Sequence, residues 1–414
     1  MSAMKLLPIL FIGFAALMHA GEIDWQRAKE IHQRAESGGK LSAEERKYLD
    51  EAMRQRASGG ATAQAGEKKE DTFDWQKARM IFEKKRRGEK LGAEEESILN
   101  EAMKRRGAGE RPAPQSLRLA TPPPPPKDLV PLTELAGDYK GQTGGLYGGG
   151  KNEPSAEHAA LARKAIGEIR PLDKDGKPAA DGKIVFMSIG MSNTTQEFSE
   201  FLPLANASDS KAASVVVVDG AQGGKDATAW ATADAMPWAV ATQRLRTNEV
   251  SPQQVQAVWI KQALMGPQTG FPAEAERLRD RTREIVILAK QKYPNLRVAY
   301  LSSRIYAGYA KSKLNPEPYA FESAFAVRWL IEEQMKGGLN ADAAKGEVKA
   351  PVLRWGPYLW ANGQTPRKAD GLTFAEDEMA ADGTHPGIPA RKKIAKLLLD
   401  FFTTNALAKP WFVK

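Results

Sequence analysis

Over the larger, C-terminal part of the chain, short apolar runs alternate with longer amphipathic segments. Five runs rich in β-branched or aromatic residues have the length and composition of buried strands, and they cover 184–189, 214–219, 255–260, 296–301 and 352–355. Segments with helical spacing of apolar residues separate or flank them, over 156–169, 272–292, 316–335 and 389–403. Strands that alternate with helices predict a doubly wound, parallel α/β sheet.

The N-terminal part contains an internal repeat. Two copies of one pattern cover 23–56 and 73–106. Each copy predicts a helical hairpin, because glycine interrupts an apolar stripe of helical spacing, and Ser42 with Glu45 has the spacing of a capping box at the second helix. One hairpin buries little apolar surface by itself. We therefore expect either a small structural spacer or an element that docks on an envelope polymer or a protein partner.

Residues 1–20 have the pattern of a cleaved secretory leader. Lys5 precedes a short apolar core, and Ala20 ends a segment suited to cleavage. The apolar core is shorter than the roughly 20 residues of a membrane-spanning helix. We expect a secreted or periplasmic protein, with an uncleaved N-terminal anchor as the alternative.

A proline-rich segment separates the repeat from the region of strands and helices. It includes the uninterrupted prolines 122–126, and such a run favours an extended, semi-rigid linker. The predicted organisation is a leader at 1–20, helical hairpins at 21–110, a linker at 111–128 and a large α/β domain at 129–414.

Composition narrows the chemistry of the large domain. The 414-residue chain has no cysteine, which excludes disulfides, thiol nucleophiles and zinc sites built on thiolates. Only His158 and His385 lie in the large domain, so a three-histidine zinc site is also excluded. The net charge of +9 is spread along the chain without an aromatic-interleaved basic patch. We expect no metal, no cofactor and no nucleic-acid partner, and we interpret the charge as solubility with mild attraction to acidic polymers or membranes.

Ser192 follows the first predicted strand, just after the break at Gly190. In open α/β sheets, ligands bind at the carboxyl ends of the strands, so a serine at this position is placed for chemistry. The alternative is that Ser192 only caps the next helix, a role that serine fills well.

Near the other end of the domain, Asp382 precedes His385 by three residues. A serine nucleophile needs a base to accept its proton, and the base needs an acceptor that orients its ring. His385 and Asp382 can fill these two roles, although a turn with a surface histidine is the alternative. His158 lies in a predicted helix, and we interpret it as a surface histidine.

These two segments resemble the SGNH (GDSL-like) hydrolases. The first reads Gly190-Met191-Ser192-Asn193 and is similar to the Gly-Gln-Ser-Asn motif of the sialate O-acetylesterase and acetylxylan esterase branch. The second reads Asp382-Gly383-Thr384-His385-Pro386 and is similar to the family's last block. The resemblance extends from about residue 183 to the C-terminus. It implies a flavodoxin-like three-layer α/β/α fold and ester hydrolysis by a Ser192–His385–Asp382 triad through an acyl-enzyme.

The resemblance also implies donors for the oxyanion. They are the backbone N–H of Ser192, the N–H of a glycine after the second strand, and a side-chain amide after the third strand. We assign the glycine to Gly223, with Gly220 as the second choice, and the amide to Gln262. Three further residues at the same rim are candidate substrate contacts: Asn193, Arg304 and Tyr306.

The predicted function is that of a secreted serine esterase, acting on acetyl esters with carbohydrates as a candidate substrate. Two departures from the family leave an alternative. Met191 stands where the family has Asp or Gln, and the family's third block has no clear counterpart. The alternative is a catalytically inactive SGNH-fold protein that binds carbohydrate or envelope material. A third interpretation is an envelope interaction protein whose repeats carry the function.

Overall fold

The computed structural model of the chain describes residues 91–107 and 121–414, with side chains through residue 101 in the first range. Before residue 91 it describes only positions 31, 42, 44, 45, 48, 81 and 84. The chain divides into two units, Met1–Phe73 and Asp74–Lys414. The predicted leader, most of the two hairpins and most of the linker lie outside the described residues.

The capping box predicted in the first repeat is present. The Ser42 N–H donates to Glu45 Oε2 at 2.9 Å, and the Glu45 N–H donates to Ser42 Oγ at 3.1 Å. In the second repeat glycine replaces the serine, so only one of the two bonds forms, from the Gly92 N–H to Glu95 Oε2 at 2.9 Å. Helix α1 (Ala93–Gly107) follows this turn. A helix is therefore present where the second helix of this copy is predicted.

The large domain begins with a short antiparallel hairpin, β1 (Asp138–Tyr139) and β2 (Gln142–Thr143). Its central sheet has five parallel strands. They are β3 (Ile184–Gly190), β4 (Val215–Asp219), β5 (Val255–Lys261), β6 (Val298–Ser302) and β7 (Val352–Trp355). The helices are α2 (Ala156–Gly167), α3 (Ser192–Asn206), α4 (Ala227–Trp230), α5 (Met236–Thr247), α6 (Ala273–Lys292), α7 (Tyr319–Met335), α8 (Ile388–Thr404) and α9 (Lys409–Phe412).

The helices cover both faces of the sheet, with α2, α3, α8 and α9 on one face and α4 to α7 on the other. Aromatic packing shows how the first layer is held. Phe186 of β3 contacts Phe402 of α8 with ring centroids 4.5 Å apart, and Trp411 of α9 at 5.5 Å. Each such ring removes a large apolar area from water. The predicted three-layer α/β/α fold is confirmed. No helix in the described part of the chain is long and apolar enough to cross a bilayer.

The strand order determines where a ligand can bind. The order across the sheet is β4-β3-β5-β6-β7. This is the flavodoxin-like arrangement, in which the chain adds its second strand on one side of the first and its third strand on the other side, so the strand order reverses between β3 and β5. A crevice opens at the carboxyl ends of the two strands that flank such a reversal. Here they are β3 and β5, and Ser192 begins the helix that follows β3.

Gly190 ends β3 because no side chain fits there. A Cβ atom on it would lie 2.3 Å from the Lys261 carbonyl oxygen and 2.3 Å from Thr194 Oγ1. Its own carbonyl accepts hydrogen bonds from the Gln222 N–H at 3.0 Å and from Trp230 Nε1 at 3.1 Å. The end of β3 is therefore held by close packing on one side and by two hydrogen bonds to its carbonyl on the other.

We predict that Gly190→Ala lowers the free energy of unfolding by about 1–3 kcal/mol, the usual cost of overpacking. Gly223→Ala is the matched control, since a Cβ atom there meets nothing within 4 Å, and its change should stay within about 0.5 kcal/mol. Chemical denaturation of both variants measures the difference. Equal stability of the two variants would contradict the steric argument.

His158 was predicted to lie on the surface, and that prediction is wrong. Its side chain on α2 is only 3% exposed, and its Nε2 lies 2.8 Å from the Leu353 carbonyl oxygen of β7. Burial lowers the pKa of His158, an effect that the bond to Leu353 opposes and the nearby Arg354 reinforces. The helical pattern alone could not show this, because β7 covers the histidine from a distant part of the chain.

This burial predicts a dependence of stability on pH. Because the pKa of His158 is lower in the folded state than in the unfolded chain, its stabilising contribution is complete above the unfolded value of 6.5 and is lost as the pH falls. Between about pH 7.5 and pH 5, wild-type protein should lose more unfolding free energy than His158→Gln, which keeps a donor for Leu353. Denaturation curves at several pH values measure this, and parallel losses would contradict it.

Candidate active site

Ser192 lies at the first position of α3, just after the carboxyl end of β3. The N-cap of this helix is Met191, which makes no side-chain capping bond. The Ser192 hydroxyl is half-buried and pairs with His385 instead of capping the helix. The alternative in which Ser192 only caps the helix is therefore wrong.

The two segments singled out in the sequence come together, although 193 positions separate them. Ser192 Oγ lies 2.7 Å from His385 Nε2, and His385 Nδ1 lies 2.5 Å from Asp382 Oδ2. A carboxylate can only accept, so Nδ1 carries the proton and Nε2 is left to accept from the serine hydroxyl. A hydroxyl, an imidazole and a carboxylate thus form one hydrogen-bonded line.

The loop around Asp382 holds the carboxylate in its charged form. Burial opposes ionisation, but the bond and charge of His385, with the N–H groups of His385 and Thr384 at 3.0 Å from Oδ1, outweigh it and keep the pKa of Asp382 well below its usual value. Gly383 has a φ of +67°, and a Cβ atom on it would lie 1.8 Å from the Tyr309 carbonyl oxygen. Glycine is therefore required between the acid and the base.

The predicted oxyanion donors, Gln262, Gly223 and Gly220, differ in their surroundings. Gln262 directly follows Lys261, which pairs with Gly190 in the sheet. Neither polar atom of its buried amide has a partner in the part of the chain that the structure describes. Gly223 is exposed and follows Gln222, whose N–H donates to the Gly190 carbonyl. Gly220 would place a Cβ atom 2.5 Å from the Ser188 carbonyl oxygen, so close packing already accounts for that glycine.

The three predicted substrate contacts are all buried. Asn193 and Arg304 are 1% and 2% exposed and hydrogen-bond to each other and to the Thr384 carbonyl. Tyr306 is 8% exposed and packs edge-to-face on Tyr309 with ring centroids 5.2 Å apart. Burial raises the pKa of Tyr306 to about 12, so it is a neutral hydrogen-bonding group near neutral pH. Substrate binding by these residues stays a prediction.

Several charged residues on the elements that carry the site were not singled out in the sequence analysis. Glu197 of α3 and Lys261 of β5 are completely buried and form an ion pair. Burial lowers the pKa of Lys261 to about 8 against the opposing effect of Glu197. Asp219, at the end of β4, accepts from Ser188 Oγ at 2.6 Å and Thr195 Oγ1 at 2.5 Å. A lysine at the last position of a mostly apolar strand was the one available signal.

An open cleft of about 320 Å³ lies beside the loop of Asp382 and His385. Its lining combines both signs of charge: Lys311, Glu376 and Asp377, together with Met379, Ala380, Ala381 and Gly383. Among the described residues, no three or more His, Cys, Asp or Glu side chains are grouped so that they could hold a metal ion.

Comparisons with known proteins add little to this geometry. No protein-family model matches the sequence, and no curated protein matches it. Among solved structures, the periplasmic domain of a lipopolysaccharide acetyltransferase from Salmonella ser. Paratyphi A is similar over 59% of this chain and 94% of that chain, with 14% identity and a TM-score of 0.29. At this TM-score, the function has to be argued from the residues of the site.

Proposed function

We propose that the protein is an exported serine esterase of the SGNH type, and that acetyl esters of carbohydrates are its substrate class. The observation that carries this proposal is the line of hydrogen bonds from Ser192 Oγ through the His385 ring to Asp382. This line joins a hydroxyl at the carboxyl edge of a parallel sheet to an imidazole and a carboxylate in series. The same arrangement is what nucleophilic catalysis of acyl transfer needs.

In the proposed reaction, Ser192 Oγ attacks the ester carbonyl carbon as His385 Nε2 takes its proton. The electrons of the carbonyl double bond move to its oxygen, and a tetrahedral intermediate forms. Asp382 stabilises the imidazolium through the Nδ1–H bond and keeps the ring oriented. Because the pKa of Asp382 lies below its usual range, the carboxylate stays charged throughout the step.

The oxyanion needs donors that are in place before it forms. The N–H of Ser192 lies in the first turn of α3, where N–H groups have no acceptor within the helix and the helix dipole favours negative charge. Gly223 and Gln262 are the other donors that we propose. The unpartnered amide of Gln262, one residue beyond the partner of Gly190 in the sheet, supports that assignment.

The intermediate then collapses and the carbon–oxygen bond to the alcohol breaks. His385 Nε2 returns its proton to the departing alkoxide, and the acyl group remains on Ser192. Water attacks the acyl-enzyme in the same way, with His385 as the base, and releases the carboxylic acid.

We predict that Ser192→Ala abolishes turnover of p-nitrophenyl acetate and labelling by a fluorophosphonate probe, because the nucleophile is removed. Its circular dichroism and melting temperature should match those of the wild type. Ser199→Ala is the control, since Ser199 lies on the same helix and its hydroxyl only donates to the Gln196 carbonyl. Turnover that survives Ser192→Ala, or folded wild-type protein that resists the probe, would favour a protein that binds without catalysis.

Gln262→Ala should lower kcat by about 10²–10³-fold with stability little changed, the usual effect of removing one oxyanion donor. Gln256→Ala is the control at the opposite end of β5. That amide is buried but bonds both the N–H and the carbonyl of Arg170, so its loss should reduce stability and leave kcat unchanged. Steady-state kinetics and denaturation of both variants give the comparison. An unchanged kcat in Gln262→Ala would remove this residue from the oxyanion site.

A further inference from the structure

Three segments of the chain meet at a single carbonyl oxygen beneath the candidate active site. The Thr384 carbonyl accepts a hydrogen bond from Asn193 Nδ2 at 3.1 Å and another from Arg304 Nη2 at 3.2 Å. Arg304 Nη1 donates to Asn193 Oδ1 at 3.2 Å and closes the ring of contacts. The same nitrogen lies 3.8 Å from the sulfur of Met191. The start of α3, the segment after β6 and the loop of Asp382 and His385 are therefore tied together.

These contacts involve the residues next to the proposed nucleophile and base. Asn193 directly follows Ser192, and Thr384 directly precedes His385. A bond between Asn193 and Thr384 therefore sets the separation between the nucleophile and the base from the residues next to them. Arg304 spans both partners, because its planar guanidinium presents two nitrogens at fixed spacing. A lysine has one nitrogen and cannot reach two acceptors with the same geometry.

We propose that Arg304 and Asn193 are positioning residues that hold Ser192 and His385 in register, and that they do not contact the substrate. This inference rests on the proposed esterase function. Both side chains are nearly inaccessible. The Asn193 amide and the two terminal nitrogens of Arg304 are hydrogen-bonded within the protein, while Arg304 Nε has no partner in the part of the chain that the structure describes. Burial lowers the pKa of Arg304, and the charges of Glu197, Glu317 and Asp382 oppose this effect, so carboxylates of the protein itself favour the charged guanidinium.

The diagnostic variant is Arg304→Lys, which keeps the charge and removes the bridge. We expect kcat for p-nitrophenyl acetate to fall about 100-fold, because a misplacement of the order of 1 Å costs that much. KM should change by less than about threefold, since a group acting only on the geometry of the reacting residues leaves substrate binding in place. The rate of fluorophosphonate labelling should fall with kcat. In Arg304→Ala, added guanidinium ion should restore part of the lost rate.

Arg367→Lys is the matched control. Arg367 is also buried, and its guanidinium bridges the carbonyls of Tyr358 and Trp360 and pairs with Asp370. It takes no part in the contacts around Thr384, so its variant should lower the melting temperature and leave kcat unchanged.

Asn193→Leu is a second variant of similar volume, and it decides the question if Arg304→Lys does not fold. It should lower kcat as Arg304→Lys does, and the double variant should lose no more than the larger single loss.

Each outcome bears on one of the two proposals. If wild-type protein is labelled through Ser192 but Arg304→Lys behaves like Arg367→Lys, the positioning role is wrong and the esterase function stands. A raised KM with unchanged kcat assigns Arg304 to substrate binding and also overturns the positioning role. If folded wild-type protein is not labelled, the esterase function fails and the positioning role fails with it. A lowered kcat, an unchanged KM and rescue by guanidinium support the positioning role of Arg304 and Asn193.

Discussion

The start of helix α3 is fastened to the end of strand β5, and the geometry of the site depends on that attachment. Gly190 lets the two strands approach until its Cα faces the Lys261 carbonyl, and Thr194 Oγ1 donates to the same carbonyl at 2.8 Å. Glu197, on the first turns of α3, pairs with the buried Lys261 ammonium. The direction of α3 is thereby set, and with it the position of the Ser192 hydroxyl.

This attachment places unusual amounts of charge in the protein interior. A buried ion pair seldom adds stability, since desolvation consumes most of the attraction. Its geometry is nevertheless stiff, because any displacement leaves a charge without a partner. The pair of Glu197 and Lys261 lies behind the nucleophile, and Arg304 lies between the nucleophile and the loop of the base. We interpret the buried charges as the reason why side chains from distant parts of the chain keep a fixed separation.

Sequence patterns predicted the scaffold to within a few residues. The fifth strand, 352–355, has the bounds of β7, and the last predicted helix, 389–403, lies within Ile388–Thr404. Helix α5 was not predicted, although Pro237 near its start and the spacing of Trp238, Ala241 and Leu245 were signals for it. The aromatic residues that follow β7, Tyr358 and Trp360, are buried. Periodicity reports which face of an element is apolar, and it cannot report what covers that face.

The sequence by itself determined what short-range rules govern: the α/β alternation, the glycine break after the first strand, and the spacing of Asp382 and His385, which pair within one loop. Tertiary structure alone decided three matters: that Ser192 Oγ lies 2.7 Å from a ring 193 positions away, that His158 is covered, and that Arg304 is buried between two segments. Local hydrogen bonds and periodicity depend on a few neighbouring residues. Contacts across the domain depend on how every layer packs, and no stretch of sequence holds that information alone.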